Sequence, residues 1–179
     1  MIQGLDILKK LVQENNLVEN LCERELNNPE NAGFDLRLGE VHSLEGDAFI
    51  GINERKTPSI KLLAKFEDNK NNKITIKPGD YFLCKTIEKI NVPKDLFGIY
   101  FLRSTCWRSG AKLVSGMLGP GYSGELIFPL SNAGPLNIEM ELGARVVHVF
   151  FVKIEGSSSE YKGQWQGGRI STFGIEKQI

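Results

Sequence analysis

The sequence predicts an all-β fold, a barrel or sandwich, with a helix at its N-terminus. Three observations lead there. Short apolar or alternating runs are separated by turn signals at short, regular intervals. Glycine occurs 19 times in 179 residues, above average usage, which favours turns and bulges and hence short strands. Leu5, Leu8, Leu11, Val12 and Leu17 sit near helical spacing and predict an amphipathic helix over residues 4–15.

The elements follow in order. Asn27, Asn28, Pro29, Glu30 and Asn31 mark a turn. Residues 33–38 alternate like a short strand, closed by Gly39. Residues 40–58 hold a candidate hairpin, and the polar run 67–73 reads as a solvated loop. Strands are expected at 73–76 and 81–86, with Pro78, Gly79 and Asp80 turning between them. Val92 to Asp95 forms another turn, and Leu96 to Leu102 is a buried-looking apolar run. After Ala111 the rhythm of strand, glycine turn and strand continues. Val146 to Val152 is long and apolar enough for a central core strand. Gly156 to Ser159 is a flexible joint, and the tail from Tyr161 has little apolar periodicity, so it is expected to lie over something rather than form core.

The length favours a single domain, residues 1–179, with a helical extension at 1–28 and a covering tail at 157–179. Hydrophobic residues make up 41%, enough for a modest core. With 22 basic and 22 acidic residues the formal net charge is +0, which argues against a non-specific nucleic-acid binder. No apolar run reaches membrane-spanning length, and the first residues lack the pattern of a secretory signal. Cys22, Cys84 and Cys106 are unclustered, which suits a reducing cytoplasmic setting and no zinc or disulfide framework. His42 and His148 are the only histidines, so a multi-histidine metal centre is excluded.

Three segments carry chemistry. Arg103 to Arg108 sets two arginines around two hydroxyls. That donor density suits a polyphosphate, because forked guanidinium donors match phosphate oxygens; a turn with a surface ion pair accounts for the same residues. Gly116 to Gly124 places four glycines around Tyr122, which fits either close backbone approach to a ligand with a ring packing on it, or a hairpin with a packed aromatic. Tyr161 to Arg169 combines amides, glycines and an arginine, and folds over a ligand or over a neighbouring subunit. Trp107 and Trp165 read as residues of buried or interfacial packing.

Taken in order, these segments resemble the dCTP deaminase/dUTPase superfamily. Residues 32–38 are similar to its first motif. Residues 77–83 with Thr86, 92–98 and 103–105 resemble the run into its phosphate-binding motif. Residues 119–124 with 130–132 resemble the nucleoside motif, 143–146 with Phe150 and Phe151 the strand that follows, and 161–169 the closing motif. The resemblance implies a distorted β-barrel (dUTPase-like, β-clip), a homotrimer with active sites at subunit interfaces, and a Mg²⁺-bound deoxynucleoside triphosphate of the dUTP or dCTP type. It places Arg103, Ser104 and Thr105 on phosphate-contacting positions and Arg108 on an arginine that assists catalysis in the deaminases. Tyr122 falls on the aromatic that packs against deoxyribose, Tyr161, Gln164 and Arg169 in the tail motif, and Asp35 on the first-motif aspartate. No metal ligand is assigned directly.

The chain departs from the family at two places. Gly119 stands where an aspartate typically contacts the sugar and supports the dUTPase reaction. Pro129 stands where the deaminases carry the glutamate that shuttles protons between water and the cytosine amine. Glu125 shares the strand face of Pro129, but at about 3.3 Å per residue it stands about 13 Å away, beyond proton-transfer reach. Phosphoanhydride hydrolysis asks less, one carboxylate to orient water beside a metal-neutralised triphosphate, and Asp35 is the candidate, with a turn-holding role as its alternative. The expected activity is therefore dUTP diphosphatase. A dCTP deaminase, a bifunctional deaminase/dUTPase, and a catalytically silent nucleotide-binding homologue are the alternatives.

Overall fold

A computed structural model describes residues 1–178; residue 179, the end of the expected tail, lies outside the described residues. The chain opens with helix α1 (Leu5–Asn15), which turns Leu8 fully inward, then β1 (Val18–Glu19) and a short helix α2 (Glu23–Asn27). The strands that follow are β2 (Phe34–Glu45), β3 (Phe49–Ile50), β4 (Glu54–Lys56), β5 (Ser59–Lys65), β6 (Lys73–Ile76), β7 (Tyr81–Asn91) and β8 (Leu96–Leu102). Helix α3 (Ser104–Arg108) leads into β9 (Ala111–Lys112), β10 (Gly116–Leu118), β11 (Ser123–Asn132), β12 (Ile138–Glu141), β13 (Arg145–Lys153) and, in the tail, β14 (Glu176–Lys177).

The main sheet runs β10-β8-β13-β2-β7-β11-β9, with β1 on β7 and β5 on β2. It curls into a half-barrel around a core that includes Phe34, Leu36, Leu38, Phe128, Leu130 and Phe151, all fully buried. The long apolar strand β13 is central, as its composition predicts, lying between β8 and β2. Two small antiparallel sheets, β12-β6 and β14-β4-β3, complete the architecture.

Two strands run further than their apolar pattern suggests. Gly39 does not close β2. The strand passes through it with a register shift against β7, and a Cβ at that position would meet the Thr86 carbonyl carbon at 2.8 Å. The glycine is there to let two backbones cross closely. In the same way β7 continues past Thr86 to Asn91, because Glu88 continues the inward alternation despite its charge. Glu88 is fully buried. It accepts the Arg37 backbone N–H at 2.8 Å and the Arg37 Nε–H at 2.6 Å, so an ion pair joins β2 to β7 inside the barrel. Burial pushes the Glu88 carboxyl above its usual range, against the opposing pull of Arg37. Removing one partner of a buried pair strands the other. Arg37→Ala should therefore lower the unfolding free energy by about 3 kcal/mol in urea titration, and a change within experimental error would show that Glu88 finds other partners.

Candidate functional site

Two cavities of similar size carry the chemistry that the motifs suggest, and they share no lining residue. The first is a charged cleft of about 400 Å³. It lies between α3 and β12, with Arg103, Thr105, Ser109, Glu139, Glu141 and Arg145 among its walls. Beneath it sits Asp35, only 3% exposed, projecting from β2. One carboxylate oxygen accepts from Arg103 Nε at 2.7 Å and from Arg145 Nη1 at 3.1 Å. The other is 2.9 Å from His148 Nδ1, and because an ionised carboxylate only accepts, the ring proton is on Nδ1. Burial pushes the Asp35 carboxyl up, but the His148 hydrogen bond and the charges of Arg103, His148 and Arg145 outweigh it and hold the group below its usual range. A second buried carboxylate, Glu25 of α2, accepts the Asp35 backbone N–H at 2.9 Å and Arg145 Nη1 at 3.1 Å, and also pairs with Arg24.

Segment 103–108 leaves an apolar strand and forms one short helix, Ser104–Arg108, with Arg103 before it and Ser109 closing it. Ser104, Thr105 and Arg108 of α3 are exposed there. Arg108 stacks over the Trp107 ring, 4.6 Å from its centre. Trp107 is 52% exposed, because so short a helix has no buried face.

The second cavity is a largely apolar pocket of about 390 Å³, walled by Leu83, Ile127, Gly119, Tyr122, Tyr161 and Arg169 among others. Tyr122 is buried, and its hydroxyl donates to the Glu125 carbonyl at 2.7 Å. Burial raises its pKa well above the ordinary tyrosine value, so the phenol stays protonated. The Tyr161 ring meets it edge-on, with centroids 5.6 Å apart. Among the described residues, no Asp or Glu lines this pocket. Pro129 pairs with Leu83 across β11 and β7, and Glu125 faces an adjoining groove instead, 3.4 Å from Lys85 Nζ.

The tail forms one wall of the pocket. Tyr161 N–H donates to the Pro120 carbonyl at 2.6 Å, and Gly167 N–H to the Ser123 carbonyl at 2.8 Å. Gln166 binds the same turn from both ends of its amide, donating to Gly121 and accepting from Ser123 N–H. The crossing is tight: a Cβ on Gly124 would lie 2.3 Å from the Gly168 nitrogen. Gln164 points elsewhere, its Nε2 donating to the Lys177 carbonyl at 2.8 Å.

Of the residues singled out from sequence, Tyr122, Tyr161 and Arg169 come together at the pocket. Asp35 and Arg103 come together beneath the charged cleft, with Ser104, Thr105 and Arg108 on the adjoining helix. The chain does not bring the two groups into one cavity. Sequence reasoning missed Glu25, Arg145 and His148, whose network partners are distant in sequence, and Gln166, which lies two residues from the expected glutamine. Among the described residues, no three His, Cys, Asp or Glu side chains gather as metal ligands, and both Asp35 oxygens are engaged by Arg103, Arg145 and His148. That donor set does not fit a resident cation. No helix among the described residues is long and apolar enough to cross a membrane.

A curled half-barrel with an N-terminal helix and a tail-covered tyrosine pocket defines a chain of the dUTPase-like fold. The family described as dCTP deaminase-like matches residues 2–154, and the chain belongs to that family. It is 30% identical over 149 residues to a dCTP deaminase of Pyrococcus furiosus, covering 83% of this chain and 85% of that one. It is 31% identical over 170 residues to a dCTP deaminase of Pyrobaculum islandicum (94% and 93% covered). It is 27% identical over 152 residues to a deoxyuridine 5'-triphosphate nucleotidohydrolase of Methanocaldococcus jannaschii (85% and 94% covered). Among solved structures, the 2'-deoxycytidine 5'-triphosphate deaminase of Agrobacterium tumefaciens matches with TM-score 0.63 at 16% identity, over 84% of this chain; the chain spans 47% of that protein's length. A mutant dUTPase of phage phi11 of S. aureus matches with TM-score 0.51 at 14% identity, over 81% and 92% of the two chains. These structural likenesses confirm the fold.

The depressed carboxyl of Asp35 has a consequence for acid stability. Its contribution is fully present above its unfolded pKa, near 3.9, and is lost as pH falls through the lower folded value. Asp35→Asn should lower stability at pH 7 by about 3 kcal/mol, since it leaves Arg103 without its buried carboxylate partner and Arg145 with Glu25 alone. It should also flatten the fall in unfolding free energy between about pH 4 and pH 2 relative to the parent protein. Equal slopes for both proteins would show that Asp35 does not carry that acid sensitivity.

Proposed function

We propose that the chain binds a pyrimidine deoxynucleoside triphosphate and hydrolyses dUTP to dUMP and pyrophosphate. The observation that carries this reading is the tyrosine pocket: apolar, walled by Tyr122 and Tyr161, with Arg169 at its wall and no carboxylate lining it. Such a surface suits a sugar and base. It offers no group to move protons on a cytosine amine, which weighs against deamination.

The triphosphate calls for cationic donors, and the exposed residues of α3 together with Arg103 and Arg145 supply them on a different face. A homotrimer in which α3 of one subunit meets the tyrosine pocket of another reconciles the two halves. Asp35 then acts by holding Arg103 and Arg145, and Mg²⁺ enters on the triphosphate as part of the substrate. The three free cysteines suit a cytoplasmic setting.

Two other readings have an observation behind them. The dCTP deaminase names of the archaeal relatives favour deamination. The paired departures at Gly119 and Pro129 favour binding without turnover. One assay separates the three: dUTP and dCTP, each with Mg²⁺, followed for pyrophosphate and ammonia. Pyrophosphate from dUTP without ammonia from dCTP is expected. Ammonia from dCTP overturns the argument from Pro129, and binding without either product supports the silent homologue.

Gly119 offers a sharper test. A Cβ there meets nothing closer than Tyr161 at 3.7 Å, so a side chain fits on the pocket wall. Gly119→Asp should keep the fold and raise dUTP turnover by about a hundredfold, the lower end of what one positioned acid or base contributes. Unchanged turnover would show that a carboxylate at that position is not what limits the reaction. Tyr122→Ala should weaken dUTP binding more than binding of inorganic tripolyphosphate; equal losses would place Tyr122 outside the nucleoside contact.

A further inference from the structure

Tyr100 and Gly116 form a cross-strand pair at one end of the main sheet. Tyr100 is on β8, Gly116 lies directly opposite on β10, and β10 is the end strand. The phenol ring folds across the glycine. A Cβ at 116 would lie 2.2 Å from the Tyr100 Oη and 2.5 Å from Cζ, closer than a side chain tolerates. The missing side chain at 116 is what lets the phenol reach past the strand. Tyr100 is 7% exposed and walls the tyrosine pocket together with Leu118, Gly119 and Tyr122. Burial pushes its pKa above the ordinary tyrosine value, so the hydroxyl keeps its proton.

Among the described residues, that hydroxyl makes no hydrogen bond. Other polar groups on the pocket wall are engaged. The Tyr122 hydroxyl donates to the Glu125 carbonyl, Thr57 Oγ1 accepts the Thr172 N–H at 2.8 Å, and Arg169 pairs with Glu176. Tyr81 is 49% exposed and meets solvent, and Tyr161 and Trp165 stand on the tail wall. A buried hydroxyl without a partner is uncommon in folded proteins and asks for a reason. A single polar group set in an apolar pocket is also the means by which a site fixes the identity and orientation of its ligand.

A triphosphate stays at the mouth of an apolar pocket, because burying its charge is costly, so a nucleoside enters base first. The edge of a pyrimidine that goes deepest is the one furthest from the sugar, and it carries position 4. Uracil has a carbonyl oxygen there and cytosine an amine. We propose that Tyr100 is the residue that selects the base, its hydroxyl donating to the 4-oxygen of a uracil-type ring. A cytosine amine donates to the phenol oxygen at best. It leaves the phenol proton unpaired, and its own second proton finds no carboxylate on the pocket wall among the described residues. A site built around one hydrogen bond discriminates against a ligand that cannot complete it. The inference rests on the reading of this pocket as a nucleoside site, and it deepens that reading by naming the group that sets base preference.

The test uses the full chain and titration calorimetry. The probes are the α,β-imido triphosphates of deoxyuridine and deoxycytidine, which resist hydrolysis, and inorganic tripolyphosphate. Tyr100→Phe keeps the ring over Gly116 and removes only the hydroxyl. It should weaken the deoxyuridine ligand about fivefold to tenfold, leave tripolyphosphate unchanged, and shrink the preference for uracil over cytosine by the same factor. An unchanged uracil-to-cytosine ratio overturns the proposal. So does an equal loss for tripolyphosphate, which marks the hydroxyl as structural. If Tyr100→Phe does not fold, the parent protein decides alone. An analogue of the deoxyuridine ligand without the 4-oxygen should bind it about fivefold to tenfold more weakly, and equal affinity overturns the proposal. If the parent binds neither nucleoside ligand better than tripolyphosphate, the proposed function and the Tyr100 assignment fall together. A uracil preference that survives Tyr100→Phe removes the Tyr100 assignment and leaves the nucleoside site standing.

Discussion

The Asp35 carboxylate gathers three donors from two elements: Arg103 at the entrance to α3, and Arg145 and His148 on β13. Each arginine alone would repel the other at such short range, and neither would stay half-buried without an anion beneath it. Glu25 extends the arrangement backwards, tying α2 to the same arginine and to the backbone of Asp35 itself. The entrance to α3 is tied to this buried charge through Arg103, and backbone hydrogen bonds from Arg103 N–H to Val146 and from Ala133 N–H to Gly110 fix the two ends of the segment. A polar cluster read as ligand chemistry is also a piece of scaffolding, and the cations on its outer side are held ready because the inner side is paid for by Asp35.

The tyrosine pocket rests on a different constraint. Its floor is sheet, β7 and β11, and one of its walls is tail. The tail carries little apolar surface of its own, so burial does little to locate it. Backbone hydrogen bonds to Pro120 and Ser123, the clasp of Gln166, and the small sheet made by β14 on β4 locate it instead.

Much of the fold was legible because its determinants are local. The alternation of β11, the apolar run of β8, the helical spacing of α1 and the turn residues between them each lie within a dozen positions. The reading stopped short at Gly39 and at Glu88 for the same reason: both are explained by a strand that arrives from far along the chain. A glycine required by a backbone crossing looks like a terminator, and a buried glutamate looks like a loop residue, until Thr86 and Arg37 are placed beside them. The site divides likewise. Tyr122, Tyr161 and Arg169 were readable from ordered motifs. The clustering of Glu25, Arg145 and His148 around Asp35 was not, since their separations run beyond one hundred residues in several pairs.

The close passage of the tail over Gly124 makes the cover conditional on missing atoms. Beside the hydrogen bonds that locate it, the cover needs two bare Cα positions, at 124 and 168. A single methyl at 124 would stand 2.3 Å from the Gly168 nitrogen, so the tail as it lies tolerates no side chain there. The contacts along the tail are many and individually replaceable; the clearance at this crossing is not.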